Sequence, residues 1–510
     1  VVVGDQGYVM SNGQAGSSGD GGRIVIEAGN VRLNGGVIGA FALGTGAGGG
    51  IVITAGETLA ITGERVYPNP NVKINGWIGS ASFGAGNAGV VLVEAAAVTM
   101  DGGAITARSE GDGETGYVAL NIGKLVMSGG AMLDTTTLGS GGGGGILVTA
   151  KDSVTIKDGG MLADTGGSGN AGLIYVKTPD LRIRKYGMST LTFGDGNAGD
   201  IVLDVGKLEI SPRGTIDASA GSRSADGTII VGAGRPGNLF IAASEGVVLD
   251  GAGGGIAAGQ QNDGVATASI QSINYGTQPG GSITMTADSV SLRNGALITA
   301  ESQGTGNAGS IAVTASGRMS MTGGSQITTR SRLADGGNID IKANHMVDMA
   351  DSRVDTAVGT GLGNGGNITI DPDFVVLNNS RIRANAFGGN GGNIRIVAGQ
   401  YLSTPSSIVE ASSALGISGE IRIEAPRVDA GAATVVKTAE ARDTTVQLGE
   451  GCRVRGAART SLLKTGRGGL SLDAEGAMPQ FYAAERPAPA DKGRQTAGLD
   501  APKVTIACGE

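Results

Sequence analysis

The stretch that decides the fold runs from Gly280 to Ser302 and reads GGSITMTADSVSLRNGALITAES. It holds three short runs that alternate apolar and polar residues, around Ile283, Val290 and Ile298. Alternation at period two places the apolar side chains on one face of each strand. The pattern starts again at Ile311, in GSIAVTASGRMSMTGGSQITTRS. The two stretches therefore indicate a repeated module of three strands.

The module recurs fourteen times, mostly at intervals of 26 to 29 residues. A single module cannot bury its apolar face, so neighbouring modules must stack, with parallel strands in register. We therefore expect an all-β fold, a right-handed parallel β-helix over residues 1–431 with three sheets. Fourteen coils spaced about 4.8 Å apart would form a rod of roughly 65 Å. The first-run anchors are Ile24, Ile51, Val90, Val118, Ile146, Leu173, Ile201, Leu239, Ile283, Ile311, Ile339, Ile368, Ile394 and Ile421.

Longer intervals between some anchors predict inserted loops near residues 62–76, 220–236 and 260–278. We expect ligand recognition in the last two loops, because loops on rigid scaffolds carry function. A β-propeller or sandwich is the competing architecture. It would show two-residue hairpin signals between antiparallel runs, whereas these links are longer and constant in spacing.

The corners between modules carry the motifs GNAG and GGN. Glycine and asparagine tolerate the positive φ that a sharp corner demands, and stacked asparagines can form a ladder along the rod. A phosphate-binding loop would need a following Lys-Ser/Thr and a helix, and neither is present. The corner asparagines are Asn87, Asn170, Asn197, Asn307, Asn338, Asn367 and Asn393.

Composition excludes several other classes of protein. Glycine accounts for 96 of the 510 residues and aromatic residues for 3%, which is unlike an ordinary globular core. Collagen would need a glycine triplet and more than 13 prolines, and a chain that is 40% hydrophobic is not typical of disorder. A net charge of −8 argues against binding nucleic acid. No apolar run is long enough to span a bilayer, and Val1–Gly13 lacks the features of a signal peptide, so we expect a fragment or processed form.

The sequence offers little for catalysis, and we expect no catalytic residue, cofactor or metal. A β-helical polysaccharide lyase or hydrolase needs clustered carboxylates and aromatic platforms for sugar rings. Trp77 is the only tryptophan, and His345 is the only histidine, which excludes histidine triads and multi-histidine zinc sites. The acidic residues that we considered lie in different coils: Asp204, Asp340, Asp371 and Asp373.

The repeat resembles that of the filamentous haemagglutinin family, large exoproteins of two-partner secretion. Over residues 20–431 the chain follows a GNAG-x-I-x-V-x-A corner and strand, then V-x-L-x-x-G and I-x-A-x-S. The segment Cys452–Leu470, CRVRGAARTSLLKTGRGGL, is similar to the carboxy-terminal segment of these exoproteins, although Ser471 and Leu472 stand where proline is usual. The family's amino-terminal secretion domain is not recognisable in this chain.

The resemblance implies export through an outer-membrane β-barrel transporter and a role on the cell surface in adhesion or biofilm. The expected partner is a host or matrix glycan or another surface ligand, bound by a monomeric rod or a lateral assembly. A polysaccharide-degrading enzyme is the second reading and a toxin-delivery stalk the third. In the carboxy-terminal region, residues 432–510, we expect Cys452 and Cys508 to form a disulfide after export. The basic residues expected to contact the transporter are Arg453, Arg455, Arg459, Lys464 and Arg467.

Overall fold

The computed structural model describes residues 1–4, 7–63, 76–223, 228–251 and 267–426. Within these ranges the chain is all-β, with 35 strands and no helix. The region 432–510 lies outside the described residues, and with it the predictions for Cys452, Cys508 and the five basic residues. So does nearly all of the loop predicted at 62–76.

The described chain is a β-solenoid of fourteen coils. One column of inward-facing residues, one from each coil, runs in parallel register from Ile24 through Ile51 and on to Ile421. These anchors have at most 1% of their surface exposed, except at the two end coils. The stacking of modules predicted from the repeat is therefore confirmed.

The strands form two long sheets and not three. In nine coils the first and second runs make one continuous strand with a bend, as at the register shift between Ala28 and Asn30. In later coils a short corner separates the runs, but the ladder continues across it, since Ser316 and Gly317 donate backbone N–H groups to Ala287 and Asp288 of the previous coil. The corner is too shallow to break the sheet, which is why the prediction of a third sheet was wrong.

The first sheet contains the first and second runs. Its long strands are β3 (Ile24–Asn34), β5 (Ile51–Thr62), β7 (Val91–Asp101), β9 (Val118–Ser128), β11 (Ile146–Ile156), β13 (Ile174–Ile183), β15 (Ile201–Ile210), β19 (Leu239–Asp250) and β21 (Ile283–Arg293). Its shorter strands are β1 (Val2–Val3), β23 (Ile311–Ala315), β24 (Arg318–Thr322), β26 (Ile339–Ala343), β27 (Met346–Ala350), β29 (Ile368–Asp371), β30 (Phe374–Asn378), β32 (Ile394–Val397), β33 (Gln400–Ser403) and β35 (Ile421–Glu424).

The second sheet contains the third runs, which are shorter. Its strands are β2 (Tyr8–Gly13), β4 (Val37–Ala42), β6 (Trp77–Ser82), β8 (Ala104–Ser109), β10 (Ala131–Asp134), β12 (Gly159–Leu162), β14 (Tyr186–Ser189), β16 (Gly214–Asp217), β20 (Ser269–Gln271), β22 (Leu297–Thr299), β25 (Gln326–Thr328), β28 (Arg353–Asp355), β31 (Arg381–Arg383) and β34 (Ile408–Glu410).

Two predicted anchors are wrong by one residue. The inward positions are Val91 and Ile174, both fully buried, whereas Val90 is only half-buried and Leu173 is 42% exposed. Each pair is two adjacent apolar residues, so alternation alone does not say which one points inward. The register with Val118 and the other anchors decides it.

The inserted loops also need a correction. The strand β20 pairs in register with β16 and β22, so residues 267–278 belong to a coil and not to the loop predicted at 260–278. In the 220–236 insertion, β17 (Ser222–Arg223) and β18 (Ile229–Ile230) pair as a short antiparallel ladder.

One corner carries a glycine in every coil, and close approach is the reason. A Cβ built on any of these glycines after the first, Gly22, would lie only 1.6 to 2.4 Å from the carbonyl oxygen of the glycine in the preceding coil. Several of them also bind the chain where it leaves the preceding third run, as where Gly309 donates its N–H to the Ala300 carbonyl over 2.9 Å. We call this set the glycine column: Gly22, Gly49, Gly89, Gly116, Gly144, Gly172, Gly199, Gly237, Gly281, Gly309, Gly337, Gly366, Gly392 and Gly419.

Positive φ is not the reason for the GNAG and GGN motifs, contrary to the sequence prediction. The left-handed residues lie instead at the corner between the second and third runs, as at Asn294 (φ 55°) and Gly295 (φ 81°). None of the seven predicted corner asparagines has a positive φ.

Candidate functional site: the third-strand face

Each of the seven corner asparagines accepts a hydrogen bond from the coil that follows it. The side-chain Oδ1 binds a backbone N–H at 2.8 to 3.1 Å. The first column contains Asn87, Asn170, Asn197 and Asn307, and the second contains Asn338, Asn367 and Asn393. Asp20, Asp335, Asn364 and Asn390 extend the first column, and Asp200 and Asn238 extend the second. These residues, which we call the corner relay, satisfy backbone donors that the corner would otherwise leave unpaired.

The acidic residues considered for catalysis are not brought together. Asp204 pairs with Lys177 at 2.5 Å, and Asp340 pairs with Lys342 at 3.7 Å. The only histidine, His345, is exposed and lies 3.9 Å from Asp373. All of these lie on the first sheet, spread over several coils, and Asp371 is exposed there as well.

A shallow groove of about 790 Å³ follows the bend between the first and second runs. Its floor is made of small side chains such as Ala150, Val205 and Ala287, and its rim carries Lys151 and Glu245. The groove has a concave shape, but the charges that line it are mixed, and two of them, Lys177 and Asp204, already pair with each other.

Buried and partly buried polar groups line the outward side of the second sheet, which we call the third-strand face. In several coils the third run is buried on both sides, as in β22, β25 and β28, where all three residues are buried. Two rows of outward residues run along it from coil to coil. The first row includes Phe41, Arg108, Asp164, Ser219, Glu301, Arg330 and Asn385; the second includes Thr106, Asp134, Ser189, Asp217, Gln271, Thr328, Asp355, Arg383 and Glu410.

An aromatic cluster occupies the amino-terminal part of this face. Phe41 and Trp77 stack with ring centroids 4.9 Å apart, and Phe83 approaches Phe41 edge-on at 6.5 Å. The Trp77 indole donates a hydrogen bond to Thr106 Oγ1 over 2.7 Å. Trp77 is therefore one member of an aromatic cluster and not an isolated residue.

Carboxylates follow in the middle coils. Asp164 accepts hydrogen bonds from Ser189 Oγ and from the backbone N–H of Leu191, both over 2.8 Å. Burial nevertheless raises the pKa of Asp164 to about 7, because desolvation outweighs these bonds. A part of its surface still reaches solvent, since it lies on the face and not in the core.

Asp217 and Asp134 add to the negative charge of the middle coils. Burial also raises the pKa of Asp217, against hydrogen bonds from Ser219 and Gln271. Both carboxylates also push the pKa of Asp164 upward through charge repulsion. Asp164, whose pKa lies near neutrality, could therefore donate a proton as a general acid does.

The raised pKa predicts an effect of pH on stability. The unfolded chain releases this proton near pH 4, whereas folded Asp164 holds it until about pH 7. The proton on Asp164 therefore contributes on the order of 2–4 kcal/mol to the free energy of unfolding. This contribution is fully present below pH 4, falls as the pH rises and is lost above pH 7. Asp164→Asn keeps the acceptor oxygen and removes the charge, so the variant should equal wild type at pH 4 and exceed it at pH 8.

Urea denaturation at the two pH values would measure this difference. The matched control is Asp152→Asn, in the same coil but exposed on the first sheet. It should follow the wild-type curve. Identical pH profiles for wild type and Asp164→Asn would contradict the assignment.

A cationic cavity of about 360 Å³ follows in the carboxy-terminal coils. Arg330 donates from Nε and a terminal nitrogen to Glu301 Oε1, at 3.1 and 3.0 Å. Arg383 donates to Asp355 Oδ2 over 2.9 Å. Behind them, Arg353 is 9% exposed and lies 3.6 Å from Asp355, and burial lowers its pKa from the ordinary arginine value.

None of the groups on the third-strand face was recognised from the sequence as part of a site, and Trp77 was noted only as the single tryptophan. The outward positions of a strand are usually read as solvated, so Asp164, Asp355 and Arg383 looked like ordinary surface charges. A signal was available, because a charged residue often comes directly after the apolar anchor of the third run, as at Asp134, Asp217 and Asp355. The register was needed to show that they form rows.

No family model, no curated protein and no solved structure matches the chain. The described residues include no helix that is long and apolar enough to cross a membrane, and no cluster of three or more His, Cys, Asp or Glu that could hold a metal ion.

Proposed function

We propose that this chain is the rod of an exported bacterial surface adhesin or matrix scaffold that binds a linear polymer. The observation that carries the proposal is the third-strand face, where aromatic, acidic and cationic groups follow each other from coil to coil. An extended ligand could contact several coils at once, and many modest contacts add up when they act on one chain. The ligand class that fits is a glycan of the host or matrix.

The repeat and the tail motif, which resemble filamentous haemagglutinins, support export by two-partner secretion. In this proposal the tail residues contact an outer-membrane β-barrel transporter, and Cys452 and Cys508 pair after export. The corner relay supports folding outside the cell, because each finished coil presents acceptors to the chain that follows it.

A glycan array and a surface-adhesion assay with the purified chain would test the proposal. We expect binding to at least one class of polysaccharide without loss of polymer length. Absence of binding to every glycan and cell surface tested would overturn it.

An enzyme acting on acidic polysaccharide is the second candidate, and Asp164 is the specific observation that favours it. A pKa of about 7 suits a general acid. Turnover of a polysaccharide that Asp164→Asn abolishes while binding persists would establish the enzyme. Turnover unaffected by this substitution would exclude Asp164 as its acid.

A further inference from the structure

The cationic cavity is layered by charge. Its carboxylates lie at the floor, since the Asp355 side chain has no exposed surface and that of Glu301 is 8% exposed. The guanidinium groups lie above them, with Arg330 28% and Arg383 29% exposed. A ligand that enters from solvent therefore meets positive charge first.

The arginines also have N–H groups that no described residue accepts. Nε of Arg383 is buried and has no hydrogen-bond partner in the described structure. Arg332 lines the cavity and is exposed, and it forms no ion pair with any described residue. Three arginines and two carboxylates line the cavity, so its lining carries one positive charge in excess.

We propose that this cavity is a subsite for the carboxylate of an acidic sugar, a uronate unit of a polysaccharide. Guanidinium groups match a planar carboxylate with paired hydrogen bonds. Ser331, Gln303 and Asn385 also line the cavity and supply the hydroxyl and amide groups that bind sugar hydroxyls. The inference deepens the proposed function, because it names the ligand class for one part of the third-strand face.

The alternative is a purely structural ion network, because buried ion pairs of this kind also occur without a ligand. Arg332 distinguishes the two readings. Among the described residues its side chain has no ion-pair partner, so Arg332→Gln should leave the fold unchanged, whereas it should weaken the binding of a carboxylate. The matched control is Arg184→Gln, which removes an equal charge from an exposed arginine of the first sheet that has no ion pair among the described residues.

The experiment is isothermal titration calorimetry of the full chain with trigalacturonate at low salt. We expect Arg332→Gln to weaken binding about tenfold, as for one charge-assisted hydrogen bond, and Arg184→Gln to leave it unchanged. Arg383→Lys keeps the charge but removes the planar guanidinium that pairs with a carboxylate, and it should also weaken binding, with an unchanged circular dichroism spectrum as the check on folding.

Three results would overturn the subsite: no binding of trigalacturonate, equal binding of neutral galactotriose, or equal weakening by Arg332→Gln and Arg184→Gln. Equal affinity for a sulfated trisaccharide would overturn the assignment to a carboxylate, because it would show that charge alone is recognised. Failure of the proposed adhesin function alone would give a different result. The chain would then bind trigalacturonate through Arg332 but would adhere to no surface.

Discussion

Replacing Gly144 by alanine should destabilise the rod by about 3 kcal/mol or more, at or above the top of the range of roughly 1–3 kcal/mol that overpacking usually costs. The new Cβ would lie 1.7 Å from the carbonyl oxygen of Gly116 in the preceding coil. That neighbour is backbone and cannot rotate away, so the coils must separate locally. Urea denaturation followed by circular dichroism would measure the loss, and hydrogen exchange would show it concentrated around this corner.

The same corner supplies the control. Gly142, two residues earlier, has nothing within 4 Å of a Cβ built on it and no positive φ. Gly142→Ala should therefore be neutral or stabilise by about 0.5–1 kcal/mol, because alanine restricts the unfolded chain. Equal destabilisation by both substitutions would show that the glycine column does not act through close approach.

Replacing Asp355 by asparagine should cost about 3–5 kcal/mol, the penalty for leaving buried charge uncompensated. Asp355 is fully buried, and its carboxylate binds Arg383 and lies 3.6 Å from Arg353. Asparagine keeps an acceptor for the backbone N–H of Ala357 but removes the negative charge. Urea denaturation, with hydrogen exchange of the strand β28, would measure the effect.

The control for this substitution is Asp371→Asn on the neighbouring coil. Asp371 is exposed on the first sheet and forms no ion pair with a described residue, so its loss should not change stability measurably. If Asp355→Asn lowered the free energy of unfolding as little as Asp371→Asn, the prediction would be wrong. Water would then have to reach the ion network and solvate the arginines that lose their partner.

Alternation and spacing were enough to predict the solenoid, because inward residues such as Ile283 and Ile311 recur at a nearly constant interval. They were not enough at Val90–Val91 or Leu173–Ile174, where both neighbours are apolar. The number of sheets could not be predicted either. It depends on whether the backbone hydrogen bonds between coils continue across the bend near Ser316.

The candidate site could not be predicted for a different reason. Asp164 and Asp355 occupy outward positions of the third run, which a period-two pattern assigns to solvent. Asp355 is fully buried and Asp164 partly buried, because side chains of the following coil pack against them, Arg383 against Asp355 and Ser189 against Asp164. Desolvation then changes the proton affinity of Asp164, which no pattern of residue types encodes.

The corner relay has a direction. In every bond of the relay the acceptor belongs to the earlier coil and the donor to the later one, as where Asn338 accepts from Asn367 and Asn367 from Asn393. The carboxy-terminal side of a finished coil thus displays an oxygen that the following residues satisfy by forming the same corner. The solenoid is in this sense its own template, and a chain that emerges amino terminus first can add coils one at a time at the growing end.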